Sequence, residues 1–169
     1  MKNSLILPLS RTKERESKYK WLSKVFDDPV CVFTSQPDLV VKTKEDLKKL
    51  KSIGVIRSGP EMNLLKGYPL EDSIDLNELA VKLNLHKVDA VVSGYSVTSY
   101  NWKMNNFDPS ILKCDLIISI NQQYIAASLS SDDNFVATLA KTMEKYKTTV
   151  EYKSLLKKYG VNSENKNTK

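Results

Sequence analysis

Ile53-Gly54-Val55-Ile56-Arg57-Ser58-Gly59-Pro60 is a short apolar run that stops at an arginine and turns into a helix start. Proline suits the first helical position because its missing N–H would have no partner there, so Ser58 and Gly59 fall at the cap. The unpaired backbone N–H groups of a helix start attract anions. Arg57, Ser58 and Gly59 are therefore candidates for seating a carboxylate or phosphate, beside the plainer reading of an ordinary strand-to-helix turn.

Working outward, the neighbouring segments repeat the alternation. Upstream, Thr43 and Asp46 stand at capping-box spacing, and Leu47, Leu50 and Ile53 supply an apolar stripe, which predicts a short surface helix over residues 44–51. Downstream, a helix from Pro60 to about Lys66 is ended by Gly67, and Tyr68-Pro69-Leu70 allows only a brief edge segment. Asp75 and Glu78 form a second capping box, followed by Leu76, Leu79, Ala80 and Leu83 on one helical face. Val88-Asp89-Ala90-Val91-Val92 then reads as a parallel strand covered on both faces. Two strand-helix-strand units in succession predict an α/β region with a mainly parallel sheet.

Ser93-Gly94-Tyr95-Ser96 repeats the opening pattern. A strand end is followed by a glycine that admits close backbone approach, with Ser96 as the expected cap of a helix to about residue 106. Ser93, Gly94 and Tyr95 become the second candidate cluster, at the sheet edge where open α/β folds bind ligands. Tyr95 would form an aromatic wall there or simply pack.

On the N-terminal flank, residues 5–9 read as a strand, residues 10–16 as a polar loop in which Ser10 or Thr12 caps a turn, and Val30-Cys31-Val32-Phe33 as a strand. Residues 114–129 are β-like and longer than a usual strand, which predicts two pieces or one strand passing between lobes. Two helices close the chain, one carrying Phe135, Val136, Leu139, Ala140 and Met143 on a stripe, the other burying Leu155 and Leu156 and ended by Gly160. Residues 162–169 are polar and small, as in a disordered tail.

Composition narrows the function. The chain has 169 residues, 41% of them hydrophobic, with a net charge of +6 and a pI near 9.1. Lysines are interspersed with acids throughout, which describes a solvated surface rather than a nucleic-acid face. His86 is the only histidine, and there is no Cys-x-x-Cys, so a metal centre or a histidine-based triad lacks its parts, and no cofactor motif occurs. Cys31 and Cys114 each sit within an apolar run, the usual setting of buried free thiols, and a disulfide between them stays open. Pro8 interrupts the N-terminal apolar run before signal-peptide length, and no stretch approaches the ~20 apolar residues of a membrane-spanning helix. The chain as it stands reads as cytoplasmic or as a fragment.

Thr12-Lys13-Glu14-Arg15, the strand at 30–33, Lys44-Glu45-Asp46-Leu47-Lys48 ahead of Ile53-Gly54-Val55, Lys87-Val88-Asp89-Ala90-Val91-Val92, and residues 126–132 before two helices occur in that order. Together they resemble the family 3 extracellular solute-binding proteins, the type II periplasmic-binding-protein folds of ABC uptake systems. The resemblance runs from about residue 5 to residue 161. It implies a two-lobed α/β clamp: residues 1–36 as a lobe 1 segment and first hinge strand, 37–113 as a complete lobe 2, and 114–161 as a second hinge strand with the C-terminal lobe 1 helices. The first part of lobe 1 and any signal peptide are expected to be missing, and the whole protein would then be periplasmic.

The resemblance also implies roles. Arg15 of the Thr-x-x-Arg stretch would grip a ligand carboxylate, with Ser10 and Thr12 as neighbouring polar contacts, and Arg57, Ser58 and Gly59 would be the lobe 2 contacts. Arginine usage agrees, because Arg11, Arg15 and Arg57 are the only arginines among 26 basic residues. One departure bears on specificity. Amino-acid binders place an aspartate after the strand equivalent to residues 88–92, and here Ser93-Gly94 stands in that place. A buried ammonium without a counter-charge is costly, so an acid lacking the amino group, or another small polar solute, is the better expectation.

The implied function is a solute-binding component holding a small carboxylate-bearing or polar solute, partnered by an ABC permease, and not an enzyme. The alternative is a truncated or ligand-free interaction or sensor module that forms homodimers through an exposed edge. A cyclohexadienyl-dehydratase-like activity would need a catalytic group among Glu14, Glu16 and Glu61.

Overall fold

The computed structural model describes residues 3–161, so the expected tail at 162–169 lies outside the described residues. Six strands and five α-helices follow one another as β1 (Leu5–Ser10), β2 (Lys20–Thr34), β3 (Ile53–Ile56), α1 (Pro60–Leu64), β4 (Leu70–Ser73), α2 (Leu76–Asn84), β5 (Ala90–Gly94), α3 (Tyr95–Met104), β6 (Lys113–Ala127), α4 (Asp133–Lys147) and α5 (Val150–Lys158). The strands form one mixed sheet in the order β1-β6-β2-β5-β3-β4. Two compact units divide the chain, Pro29–Ile120 in one and Met1–Asp28 with Asn121–Lys169 in the other, and the long strands β2 and β6 contribute residues to both.

In the Pro29–Ile120 unit, β3 pairs in parallel with β4 and with β5, while β2 joins β5 antiparallel, Val30 opposite Gly94 and Phe33 opposite Val91. Both faces are covered, which explains the unbroken apolar runs. Val30, Val32, Ala90 and Val92 belong to one core with Leu47, Ile53 and Leu65. Cys31, Phe33 and Val91 belong to the other, with Leu79, Leu83 and Trp102. Alternate residues of a strand point to opposite faces, so a doubly covered strand needs apolar residues at every position. Gly54 lets the two faces approach: a Cβ there would stand 2.8 Å from Leu79 Cδ2 and 3.2 Å from Val91 Cγ2, so a larger residue needs the buried Leu79 to shift.

Several local expectations are modified. The helix expected over 44–51 is a 3-10 turn, Asp46–Lys49. Its capping box is present nonetheless: Asp46 Oδ2 accepts from Thr43 N at 3.0 Å, and Asp46 N donates to Thr43 Oγ1 at 3.3 Å. Leu47, Leu50 and Ile53 are all buried, but from different elements: Leu47 from the turn, Leu50 as its extended C-cap and Ile53 as the first residue of β3. Helix α3 starts directly at Tyr95 with Gly94 as its N-cap, so Ser96 lies inside the first turn and does not cap. Because β5 runs into α3 with no connecting loop, the cap position falls earlier than the serine.

Cys31 and Cys114 are not free thiols but a disulfide, with Cα atoms 5.5 Å apart. Their separation of 83 residues hides the fact that β2 and β6 are neighbours in the sheet. The β-like stretch near residue 114 is a single 15-residue strand, β6.

In the other unit, β1 pairs antiparallel with β6, Leu5 opposite Ala127 and Ser10 opposite Gln123, with an irregularity between Ile6 and Leu9, where Pro8 has no N–H to give. Residues 13–18, overlapping the polar loop expected over 10–16, form a 3-10 turn. Helix α5 buries Tyr152 and Leu156 against Val25, Phe26 and Met143, whereas Leu155 is exposed, because the buried pair is spaced i, i+4. Helix α4 has the expected stripe, yet none of its residues is fully buried.

Candidate functional site

The candidate residues fall into one cluster in each unit. In the unit containing β1, Ser10 ends the strand. Its hydroxyl accepts from Gln123 Nε2 at 3.0 Å, and its carbonyl accepts from Arg15 Nη1 at 3.1 Å. Thr12 opens the 3-10 turn and its hydroxyl helps hold the Glu14 carboxyl below its ordinary range, after the backbone N–H of Glu14 itself. Arg15 is exposed and forms no ion pair with the described residues, so most of its donors face solvent. A guanidinium in that state can receive a carboxylate bidentately.

Arg11, four residues earlier, is differently placed. Its guanidinium carbon lies 5.3 Å from the Trp21 ring centroid and 5.0 Å from that of Tyr124. Glu16 accepts from its Nε at 2.9 Å and its Nη2 at 2.5 Å. That carboxylate and the Tyr124 hydroxyl raise the Arg11 pKa well above its ordinary value, while Arg11 lowers that of Glu16. Sequence reasoning grouped Arg11 with the candidate arginines by scarcity alone; its carboxylate partner and aromatic frame come from residues 5 to 113 positions away. Glu14 and Glu16 are both held below the usual carboxylate range, the opposite of what a general acid at neutral pH needs.

In the Pro29–Ile120 unit, the parallel strands β3, β4 and β5 end at one sheet edge, which brings Arg57, Ser58 and Gly59 to the same edge as Gly94 and Tyr95. Ser58 adopts a left-handed φ of 60°, and Gly59 N donates to Ile56 O at 2.9 Å, closing a tight turn. A Cβ on Gly59 would stand 2.9 Å from that same oxygen, so the turn excludes larger residues. The five-residue helix α1 follows, and Ser58 N is directed to Met62 Sδ at 3.1 Å.

Arg57 donates its Nε to Asp72 of β4, and this pair raises the arginine's pKa and lowers the aspartate's. The acid was invisible to sequence reasoning because it lies 15 residues away, on the strand paired with β3. Ser93 and Gly94 are buried within β5, opposite Cys31 and Val30. Tyr95 is half-buried with its ring 6.0 Å from that of Phe33, a packing contact within the core. Among the described residues no group of three or more His, Cys, Asp or Glu could hold a metal ion.

No protein-family model and no curated protein matches the chain. Solved structures do. A histidine kinase sensor domain with similarity to periplasmic binding proteins superposes with a TM-score of 0.76 at 17% identity, over 95% of this chain and 71% of that one. The P235GK mutant of the arginine-binding protein of T. maritima gives 0.68 at 20% identity, over 90% and 66%. The amino acid ABC transporter substrate-binding protein AbpA of Streptococcus pneumoniae, bound to L-arginine, gives 0.72 at 19% identity, over 90% and 65%. The chain has the type II periplasmic-binding-protein fold, and it spans about two thirds of the length of these structures.

Proposed function

We propose that this chain is a binding module for a small carboxylate-bearing or polar solute, working by recognition without chemistry, as the substrate-binding component of an uptake system. The observation that carries the reading is the fold itself, shared over nine-tenths of the chain with amino-acid-binding proteins. Arg15 supports it locally, with one guanidinium N–H held by the Ser10 carbonyl and no ion pair among the described residues. Arg15 is the proposed carboxylate contact. Arg57, Ser58, Gly59, Ser93, Gly94 and Tyr95 are the proposed contacts of the other unit, with Arg57 released from Asp72 in exchange for a ligand anion. An ABC permease and an extracytoplasmic location belong to the same proposal.

A second reading is a sensor or interaction module, favoured by the superposition on a histidine kinase sensor domain over 95% of this chain. The experiment is a thermal melt of the 169-residue chain with amino acids, keto acids, dicarboxylates and small sugars. A ligand at ~100 times its dissociation constant adds about 2.7 kcal/mol, which raises Tm by several degrees. The expected result is a shift with a carboxylate that Arg15→Ala abolishes and Arg11→Ala preserves. A cooperative melt that no compound moves overturns the solute-binding reading in favour of the second.

A further inference from the structure

Cys31 on β2 and Cys114 on β6 stand close to the first and last residues of the Pro29–Ile120 unit, so their bond closes nearly the whole unit into a covalent ring. Two polar ties repeat the join. The Thr34 hydroxyl donates to Asp115 Oδ2 at 2.6 Å, and Lys113 Nζ donates to the carbonyls of Gln36 and Pro37 at 3.2 and 2.9 Å. Strands β3, β4 and β5 and helices α1, α2 and α3 all lie between the two cysteines. Cys31 is fully buried in the core with Phe33, Leu79 and Trp102, and Cys114, half-buried, packs against the same core, so the bond is part of the packing. The sequence holds no further cysteine, so no resolving thiol is at hand to reopen it.

We infer that this unit is a disulfide-closed module that acquires the Cys31–Cys114 bond in an oxidising compartment and depends on it for stability. Formation takes two thiols to one disulfide with loss of two protons and two electrons. The electrons pass to a protein or small-molecule disulfide by exchange: one cysteine thiolate forms a mixed disulfide, the other displaces it, and the oxidant leaves as a dithiol. A bond of this kind persists outside the cytosol and is kept reduced within it. Closing a loop this long removes much chain entropy from the unfolded state, so the loss on reduction should be large. The inference is independent of whether a solute binds.

The test begins with alkylation of the air-oxidised 169-residue chain in denaturant, read by mass. No cysteine should be modified before reduction and both after it. The Cys31→Ser/Cys114→Ser double variant, or the reduced wild-type chain if that variant does not fold, should melt lower by on the order of 10 °C. Alkylation of both cysteines without reductant overturns the inference, as does a reduced chain that melts with the oxidised one.

Discussion

Arg11 and Arg15 carry the same charge four residues apart and have different surroundings, and that difference decides which can serve a ligand. Arg11 is already answered by Glu16 and framed by Trp21 and Tyr124, whereas Arg15 spends one donor on the Ser10 carbonyl. The scarcity of arginine in the sequence marked both but could not separate them, because the partners lie on β2 and β6 or in the following turn. Tyr152 offers a residue-scale test outside the candidate site. Its hydroxyl donates to the Val25 carbonyl, and burial first, then the charges of Glu144 and Asp27, raise its pKa above the ordinary 10.0. A raised pKa means the folded state holds its proton more tightly, so the stabilisation is complete below about pH 10 and is lost as pH rises through the folded value. Tyr152→Phe should cost about 1–2 kcal/mol at neutral pH by leaving the Val25 carbonyl unpaired, and should flatten the alkaline limb of stability against pH in urea titrations. An alkaline limb unchanged in the variant would assign it to another group.

At the scale of elements, a cap is most legible where an acid stands directly before an amphipathic run. Asp75 accepts from Glu78 N at 2.7 Å, and Asp132 accepts from Phe135 N at 3.0 Å. Asp75→Ala should destabilise the Pro29–Ile120 unit by about 1 kcal/mol, seen as a drop in Tm of a few degrees, with the α2 amides exchanging faster. An unchanged melting temperature would mean that the buried face of Leu79, Ala80 and Leu83 holds the helix start without the cap. The cap falls on Gly94 and not on Ser96 because the strand flows directly into the helix. The 3-10 turn over Asp46–Lys49 differs from the expected helix for a related reason: capping chemistry is shared by α and 3-10 starts, and the chain turns extended at Leu50 on its way to β3, which leaves room for one short turn.

For the whole molecule, burial is uneven between the two units. Strands β3 and β5 and residues 30–34 of β2 are almost entirely buried, while α4 has no buried residue and β1 exposes Leu5, Ile6 and Leu7. Amide exchange should therefore be slowest in β3, β5 and the C-terminal part of β2, and faster by at least about tenfold in α4, since local stability follows buried apolar packing. Uniform protection across both sets would show that α4 and β1 are covered in solution, as a homodimer would do, and sedimentation of the same sample would identify that case.

By itself the sequence determined the parallel strands of the doubly covered sheet and most α-helix starts, because these follow from periodicity, capping residues and runs of apolar residues close together in the chain. It also set the order of motifs on which the resemblance to binding proteins rests. Only the tertiary structure decided that Cys31 meets Cys114, that Asp72 answers Arg57, and that Arg11 is engaged while Arg15 is open. Those outcomes depend on which strands become neighbours, and strand adjacency is set by packing of the whole sheet, a property that no local window of sequence contains.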